Sequence, residues 1–202
     1  MLHIKAKREK IVAKSEHTYT KQYLSLASLM KEWTVATECQ SYCIQKIVNV
    51  HLDELKIDFE YNQHAVSLAQ FTPEQLPVFC YIVADIIAAI KHYHQCGWVH
   101  GDIKPANILY LPKFKSIRII DFGASQRKGT DRRNLKQWQL TRMFASANQL
   151  KGLGYVNAAD DWYALRIMLT QLATIKLEKE FVGLINSYKH QTETLMLRNL
   201  PD

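Results

Sequence analysis

The polar stretch that decides the fold reads His100-Gly101-Asp102-Ile103-Lys104-Pro105-Ala106-Asn107, and a second one, Asp121-Phe122-Gly123, follows a short interval later. Between them, residues 108–111 and 116–120 are rich in isoleucine and other apolar residues and are separated by the turn 112–115, which predicts a β-hairpin. Each polar stretch therefore lies at the end of one strand. We expect the two carboxylates and the Asn107 amide to converge there on one ligand.

Helices are predicted on both sides of these stretches. Thr72-Pro73-Glu74-Gln75 carries the signals of a helix start, and apolar residues then recur at helical spacing until Gly97. A second helix is predicted from about Ala158 to Leu172, and the tail from Leu177 is weakly helical. Toward the N-terminus, the pattern predicts a hairpin with strands at 2–6 and 11–13, a helix over 24–43, and strands at 47–52 and 57–61.

The composition is that of a globular chain with surplus positive charge. Of 202 residues, 48% are hydrophobic and 22% charged, and 26 Lys and Arg against 19 Asp and Glu give a net charge of +7. Such a chain can bury a full core, and its charge indicates an anionic partner.

The cysteines and the longest apolar run indicate a cytoplasmic protein. The four cysteines include no CxxC pair, and no second pair completes a metal site with Cys39 and Cys43, so a structural role is expected. The run 78–90 is interrupted by Asp85 and is too short to span a bilayer, so no membrane partner is expected.

The two polar stretches resemble the catalytic loop and the DFG tripeptide of eukaryotic-type Ser/Thr protein kinases. The resemblance implies that Asp102 accepts or orients the substrate hydroxyl proton and that Lys104 screens the γ-phosphate of ATP. It also implies that Asn107 and Asp121 hold Mg²⁺ against the phosphates. His100 is expected to support the loop.

Extended toward the N-terminus, the resemblance covers the rest of a nucleotide site. Ile11-Val12-Ala13-Lys14 is similar to the strand whose lysine anchors the α- and β-phosphates, and Glu32 lies where the ion-pair partner of that lysine is expected. Residues 58–61 resemble the hinge, so the backbone of Glu60 and Tyr61 is expected to face the adenine. Phe59 would gate the back of that pocket.

Beyond Asp121, the resemblance narrows toward one group. Phe144-Ala145-Ser146, with Asn148 two residues further on, and Asp160-Asp161 are similar to the casein kinase 1 and vaccinia-related kinase group. Thr141 is expected to bridge to Asp102 and Lys104, and Asp160 to cap the catalytic-loop backbone.

The expected fold is α+β and kinase-like, a single domain over 1–202 with a reduced N-lobe and hinge (1–61) and a shortened, mainly helical C-lobe (62–202). All seven glycines lie at or after Gly97, so the Gly-rich loop that covers the triphosphate is missing from this sequence. Few residues follow the last predicted helix, so one flank of that helix is expected to need a regulatory protein partner.

Three functions remain open: an ATP- and Mg²⁺-dependent Ser/Thr protein kinase, a weak or inactive kinase-like regulatory binding module, and a small-molecule phosphotransferase. The retained motifs favour the first and the missing loop favours the second. Six cations indicate acidic or already phosphorylated protein substrates: Arg127, Lys128, Arg132, Arg133, Lys136 and Arg142. Nucleic-acid binding is less expected, because only Trp138 is interleaved with them.

Overall fold

The computed structural model describes residues 10–135, 139–173 and 179–200. Its upper half is an antiparallel sheet whose strands lie in the order β1 (Lys10–Lys14), β2 (Thr18–Gln22), β4 (Lys56–Glu60) and β3 (Ile47–His51). Helix α1 (Leu26–Glu38) begins after Ser25, whose side-chain oxygen accepts a hydrogen bond from the Ser28 N–H. Four buried side chains form a small core here: Tyr23, Leu29, Ile57 and Phe59.

The first hairpin differs from the one predicted from the sequence. Residues 10–14 pair with 18–22, whereas the sequence suggested strands at 2–6 and 11–13; the first of these lies outside the described residues. The turn is fixed by Ser15, whose hydroxyl oxygen accepts the N–H groups of His17 and Thr18. As a consequence, Lys21 and not Lys14 lies in the strand between β1 and β4.

Helix α2 (Leu76–Gln95) is the core helix of the lower half, as predicted. It is preceded by a single turn, Pro73–Gln75, in which the Gln75 side chain accepts the Thr72 N–H at 3.0 Å. The helix buries one face completely, with Val83 and Ile86 at 0% exposure and Ile90 at 1%.

The segment Pro73–Gln95 is long and apolar enough, by length and composition, to cross a membrane. The expectation that this run is too short is therefore wrong. More than half of its most apolar stretch is buried inside the molecule, where it packs in one cluster with Trp162 and Leu165. The same composition is expected of a helix surrounded by a protein core.

The remaining elements place the two polar stretches. The predicted hairpin is confirmed as β7 (Ile108–Leu111) and β8 (Ser116–Ile119), and the predicted helix near the C-terminus as α4 (Ala159–Ala173). Short strands β5 (Val66–Ser67), β6 (Trp98–Val99) and β9 (Gln126–Arg127) and helix α3 (Ala147–Lys151) complete the lower half, together with α5 (Lys179–Leu197).

Helix α5 packs along α4. Phe181 and Ile185 of α5 are buried in the main core beside Trp162 and Met168 of α4. The flank of α4 that the sequence led us to expect exposed is therefore covered within the chain. Because α5 covers this flank, the expectation that a partner protein must cover it no longer applies.

Candidate functional site

A buried carboxylate on α4 holds the first polar stretch. Asp161 accepts hydrogen bonds from the backbone N–H groups of His100 and Gly101, at 2.9 and 2.8 Å. Burial acts against the charge of Asp161, yet the hydrogen bond and charge of His94 keep the pKa of Asp161 below its usual range. The sequence-based assignment of this role to Asp160 is wrong, because Asp160 instead pairs with Arg132 and accepts a hydrogen bond from Ser146.

His100 has a supporting role, as predicted. Its Nδ1 accepts the Asp102 N–H at 3.3 Å, and its Nε2 lies 3.2 Å from the carbonyl oxygen of Ile120. Both contacts are satisfied when the ring is neutral, with the proton on Nε2. Burial lowers the pKa of His100 below its ordinary value, in agreement with that tautomer. The ring therefore joins the two polar stretches without being charged.

Asp102 and Lys104 form the most polar part of the stretch. Lys104 Nζ donates to Asp102 Oδ2 at 2.6 Å and to Thr141 Oγ1 at 2.7 Å, so the predicted contact of Thr141 with Lys104 is formed. Asp102 Oδ1 is buried and has no hydrogen-bond partner among the residues that the structure describes. A buried carboxylate oxygen without a donor is costly in a native protein. We therefore expect its donor to come from a water or a bound ligand.

Asn107 directly precedes β7 and Asp121 lies just beyond the end of β8. The side-chain Nδ2 of Asn107 donates to the backbone oxygen of Asp102 at 2.9 Å. The backbone carbonyl oxygen of Asn107 accepts the Ile120 N–H at 3.0 Å. Asp121 follows Ile120 directly and has a left-handed backbone with φ of 68°. Its neighbour Phe122 is fully buried against the rings of Tyr93 and His100, which anchors the tripeptide in the core.

A buried lysine links the upper half to Asp121. Lys21 Nζ lies 2.6 Å from Glu32 Oε2 and 3.1 Å from Asp121 Oδ1, and these side chains are 8, 2 and 13% exposed. Glu32 Oε1 also accepts the N–H of Phe122 at 3.3 Å. Two carboxylates around one buried cation are expensive to desolvate. A cluster of buried charges of this kind is typical of a site that binds a charged ligand.

Comparison with known proteins identifies the family of this chain. A family model described as protein kinase domain matches residues 2–197. The chain belongs to the protein kinase family. The eukaryotic-type resemblance and the mixed α+β fold expected from the sequence are thereby confirmed.

Two curated relatives match part of this kinase chain. Ribosomal protein S6 kinase 2 beta of Xenopus laevis is 33% identical over 97 residues, which are 46% of this chain and 15% of that protein. The stress-activated protein kinase JNK of Drosophila melanogaster is 30% identical over 82 residues, 41% of this chain and 22% of the relative. The matched segments thus span less than a quarter of either relative. The similarity to the casein kinase 1 group stays a prediction.

In this kinase domain, Lys14 does not pair with Glu32, and that sequence-based prediction is wrong. Lys14 lies at the end of β1, and its Nζ is 4.0 Å from the centroid of the Tyr61 ring. The sequence Val12-Ala13-Lys14 resembles the family motif, and the prediction therefore assigned the lysine to the first strand of the hairpin. The second strand was recognisable from the β-branched and aromatic residues Thr18, Tyr19 and Thr20, which precede Lys21.

The hinge residues border a cavity of about 230 Å³ between the two halves. Glu60, Tyr61 and Lys14 lie on its rim, and Leu109 and Ile120 are on the opposite wall. The Glu60 N–H donates to Lys46 O at 2.9 Å, and the Tyr61 N–H donates to His17 O at 2.7 Å. Both predicted hinge residues therefore reach the cleft, but their N–H groups are used within the protein.

The predicted magnesium ligands fit that ion. Within residues 10–135, 139–173 and 179–200, no cluster of three or more His, Cys, Asp or Glu could hold a metal by itself. Asn107 and Asp121 offer an amide and a carboxylate at adjoining strand ends. Magnesium is commonly bound by one or two carboxylates together with substrate phosphates and waters. These two residues would hold Mg²⁺ once a nucleotide supplies the remaining oxygens.

Proposed function

We propose that this protein is an ATP- and Mg²⁺-dependent protein kinase that transfers the γ-phosphate of ATP to serine or threonine of protein substrates. The proposal is carried by a buried oxygen of Asp102 that has no partner among the described residues. It lies beside Lys104 and Asn107. A substrate hydroxyl is the donor that this oxygen lacks.

Each charged or polar side chain of the site has a separate role in phosphoryl transfer. The substrate hydroxyl oxygen bonds to the γ-phosphorus, and the bond from that phosphorus to the β–γ bridging oxygen breaks, so that ADP leaves. Asp102 Oδ1 accepts the hydrogen bond, and then the proton, of the hydroxyl, while Lys104 Nζ stays on Oδ2 and faces the transferred phosphate. Lys21, oriented by Glu32, neutralises phosphate charge. A bound Mg²⁺ would neutralise charge on the phosphate oxygens. Asn107, one of the two residues that would hold the metal, also donates a hydrogen bond to the Asp102 backbone oxygen.

Lys104 supports serine and threonine over tyrosine, through the resemblance of the catalytic loop to that of Ser/Thr kinases. A preference for acidic or phosphorylated substrates is supported by fewer cations than the sequence suggested. Arg127, Arg132 and Arg133 pair with carboxylates of the chain itself, and Lys136, like Trp138, lies outside the described residues. The proposal for substrate charge therefore rests on Lys128 and Arg142.

Transfer of label from ATP tests the proposal. Purified wild type, Asp102→Asn and the exposed-site control Asp53→Asn are incubated with labelled ATP and Mg²⁺, and label on casein, histone and the protein itself is measured. We expect Asp102→Asn to lose about 10²–10⁴-fold in rate and the control to match wild type. Equal rates for wild type and Asp102→Asn would rule out Asp102 as the proton acceptor.

A second candidate function is a regulatory binding module with weak or no catalysis. The internally bonded hinge N–H groups favour it, because they leave fewer donors for an adenine. The partner would then be another protein in the cytoplasm, and the assay above would show no transfer above background in wild type. We propose the kinase first, because a pure binding module has no need for the charged groups around Asp102 and Asp121.

A further inference from the structure

The residue two positions before Lys21 lies in the same cleft. Alternate residues of a strand point to the same face, so Tyr19 and Lys21 both face the space between the two halves. Lys21 contacts Asp121 at the phosphate end, defined here by Lys21, Asp102, Lys104, Asn107 and Asp121. Tyr19 lines the cavity at the opposite, hinge end.

Tyr19 is fixed there by two kinds of contact. Its ring stacks on Phe59, with centroids 5.3 Å apart and planes 19° apart. Its hydroxyl donates to Gln45 Oε1 at 3.0 Å. Gln45 is 3% exposed, and its backbone N–H donates to Ile119 O at 3.0 Å, which ties it to the lower half. The tyrosine is therefore held by both walls of the cleft.

Three of the polar groups that could recognise a base at this end already have partners within the protein. Gln45 Nε2 lies 3.5 Å from the Glu60 carbonyl oxygen, and the N–H groups of Glu60 and Tyr61 donate to Lys46 and His17. The cavity of about 230 Å³ is also smaller than the roughly 300–1,000 Å³ of ordinary small-molecule sites. A purine would have to compete with the Tyr19 ring for space and with Gln45 for the hinge.

The phosphate end contrasts with this closed base end, which comprises Tyr19, Gln45, Phe59, Glu60 and Tyr61. Asp102 keeps a buried oxygen without a partner among the described residues, and Lys21 and Lys104 carry buried or half-buried positive charges. Charge and unsatisfied hydrogen-bonding capacity are thus concentrated where phosphates and metal would lie.

We propose that Tyr19 is a specificity-determining residue of this cleft: its ring takes the space of the base, so the protein binds nucleoside triphosphates through their phosphates and discriminates poorly between bases. The proposal rests on the proposed function in that it assumes a nucleotide in the same cleft. It adds that the phosphates are the part of the nucleotide that is recognised, and that Tyr19 prevents selection of one base.

Binding of three ligands to matched variants tests the proposal. ATP, CTP and inorganic tripolyphosphate, each with Mg²⁺, are titrated calorimetrically into wild type, Tyr19→Ala and Tyr19→Val. For wild type we expect the three dissociation constants to agree within about threefold. In both variants ATP should bind about tenfold more tightly, because the base gains apolar contact area, and tripolyphosphate should be unchanged. Valine suits a strand and serves if the alanine variant does not fold.

Tyr19→Phe is the control, since it keeps the ring and loses only the hydrogen bond to Gln45; it should bind like wild type. Tighter ATP binding by Tyr19→Phe equal to that of Tyr19→Ala would overturn the role of the ring. Wild type that prefers ATP over tripolyphosphate by more than about tenfold would also overturn the proposal, while leaving the kinase function intact. Binding as expected with no phosphoryl transfer would sink the kinase function alone. Absence of binding by all proteins would overturn both.

Discussion

The base end and the phosphate end of the cleft satisfy their polar groups in opposite ways. At the base end, Tyr19, Gln45 and the hinge backbone bond to one another. At the phosphate end, charged groups are buried, and Asp102 retains an oxygen with no partner within the described part of the chain. Buried charge is costly to desolvate unless it is well paired and hydrogen-bonded, whereas a satisfied internal hydrogen bond is not. We therefore expect substitutions at the phosphate end to change function more than substitutions at the base end.

After Asp102→Asn, the largest expected effect comes from replacing the lysine that lies at the phosphate end. Lys21→Met should lower the rate of phosphoryl transfer by about 100-fold or more, roughly 2.7 kcal/mol, because one preorganised charge on the phosphates is lost. Lys14→Met is the matched control on the neighbouring strand, with an expected loss of less than about threefold. Initial rates at saturating Mg²⁺ measure both.

Because Lys21→Met leaves Glu32 and Asp121 without their shared cation, the melting temperature is recorded together with the rate, and Lys21→Arg serves as the charge-keeping variant. A larger loss of rate in Lys14→Met than in Lys21→Met would reverse the assignment of the phosphate-binding lysine and break the contrast between the two ends.

Removal of the carboxylate under the catalytic loop is expected to cost stability. Asp161→Asn replaces an acceptor of two backbone N–H groups and of the His94 contact, and should lower the free energy of unfolding by about 2 kcal/mol. Urea unfolding measures it, with Asp85→Asn on the exposed face of α2 as the control. Unchanged stability in Asp161→Asn would show that the loop is held by other contacts.

The smallest effect is a pH dependence carried by His100. Burial lowers its pKa in the folded protein, so its stabilising contribution is complete above the unfolded pKa of about 6.5 and is lost as pH falls through the folded pKa. Wild type should therefore lose about 1 kcal/mol more than His100→Gln between pH 7 and 5.5.

Urea unfolding at the two pH values measures that difference, and the exposed His64→Gln is the control. If His100→Gln and wild type lose equal stability on acidification, the neutral ring of His100 does not link the two polar stretches in the way the hydrogen bonds indicate.

Much of the fold could be predicted from local pattern. The capping residues before α2, the β7–β8 hairpin and α4 were each recognisable because their signals lie within one element. The roles proposed for Asp102 and Asn107 rest on motif resemblance, and the structure adds a hydrogen bond from Asn107 to the Asp102 backbone.

The errors involve choices between similar residues. Lys14 and Lys21 each come after several residues that favour a β-strand. Only the pairing of β2 with β4 shows that Lys21 is the one that faces Glu32. Asp160 and Asp161 are neighbours on one helical turn and point about 100° apart. Only the packing of α4 under the catalytic loop shows that Asp161 reaches its backbone.

The sequence by itself determined the class of chemistry, because the residue types and their spacing within His100–Asn107 and Asp121–Gly123 are local properties of the chain. The tertiary structure alone decided which lysine meets Glu32, which aspartate supports the loop and that Tyr19 occupies the base end. Those outcomes depend on contacts between residues far apart in sequence, such as Lys21 with Asp121, and no local pattern encodes the distance between them.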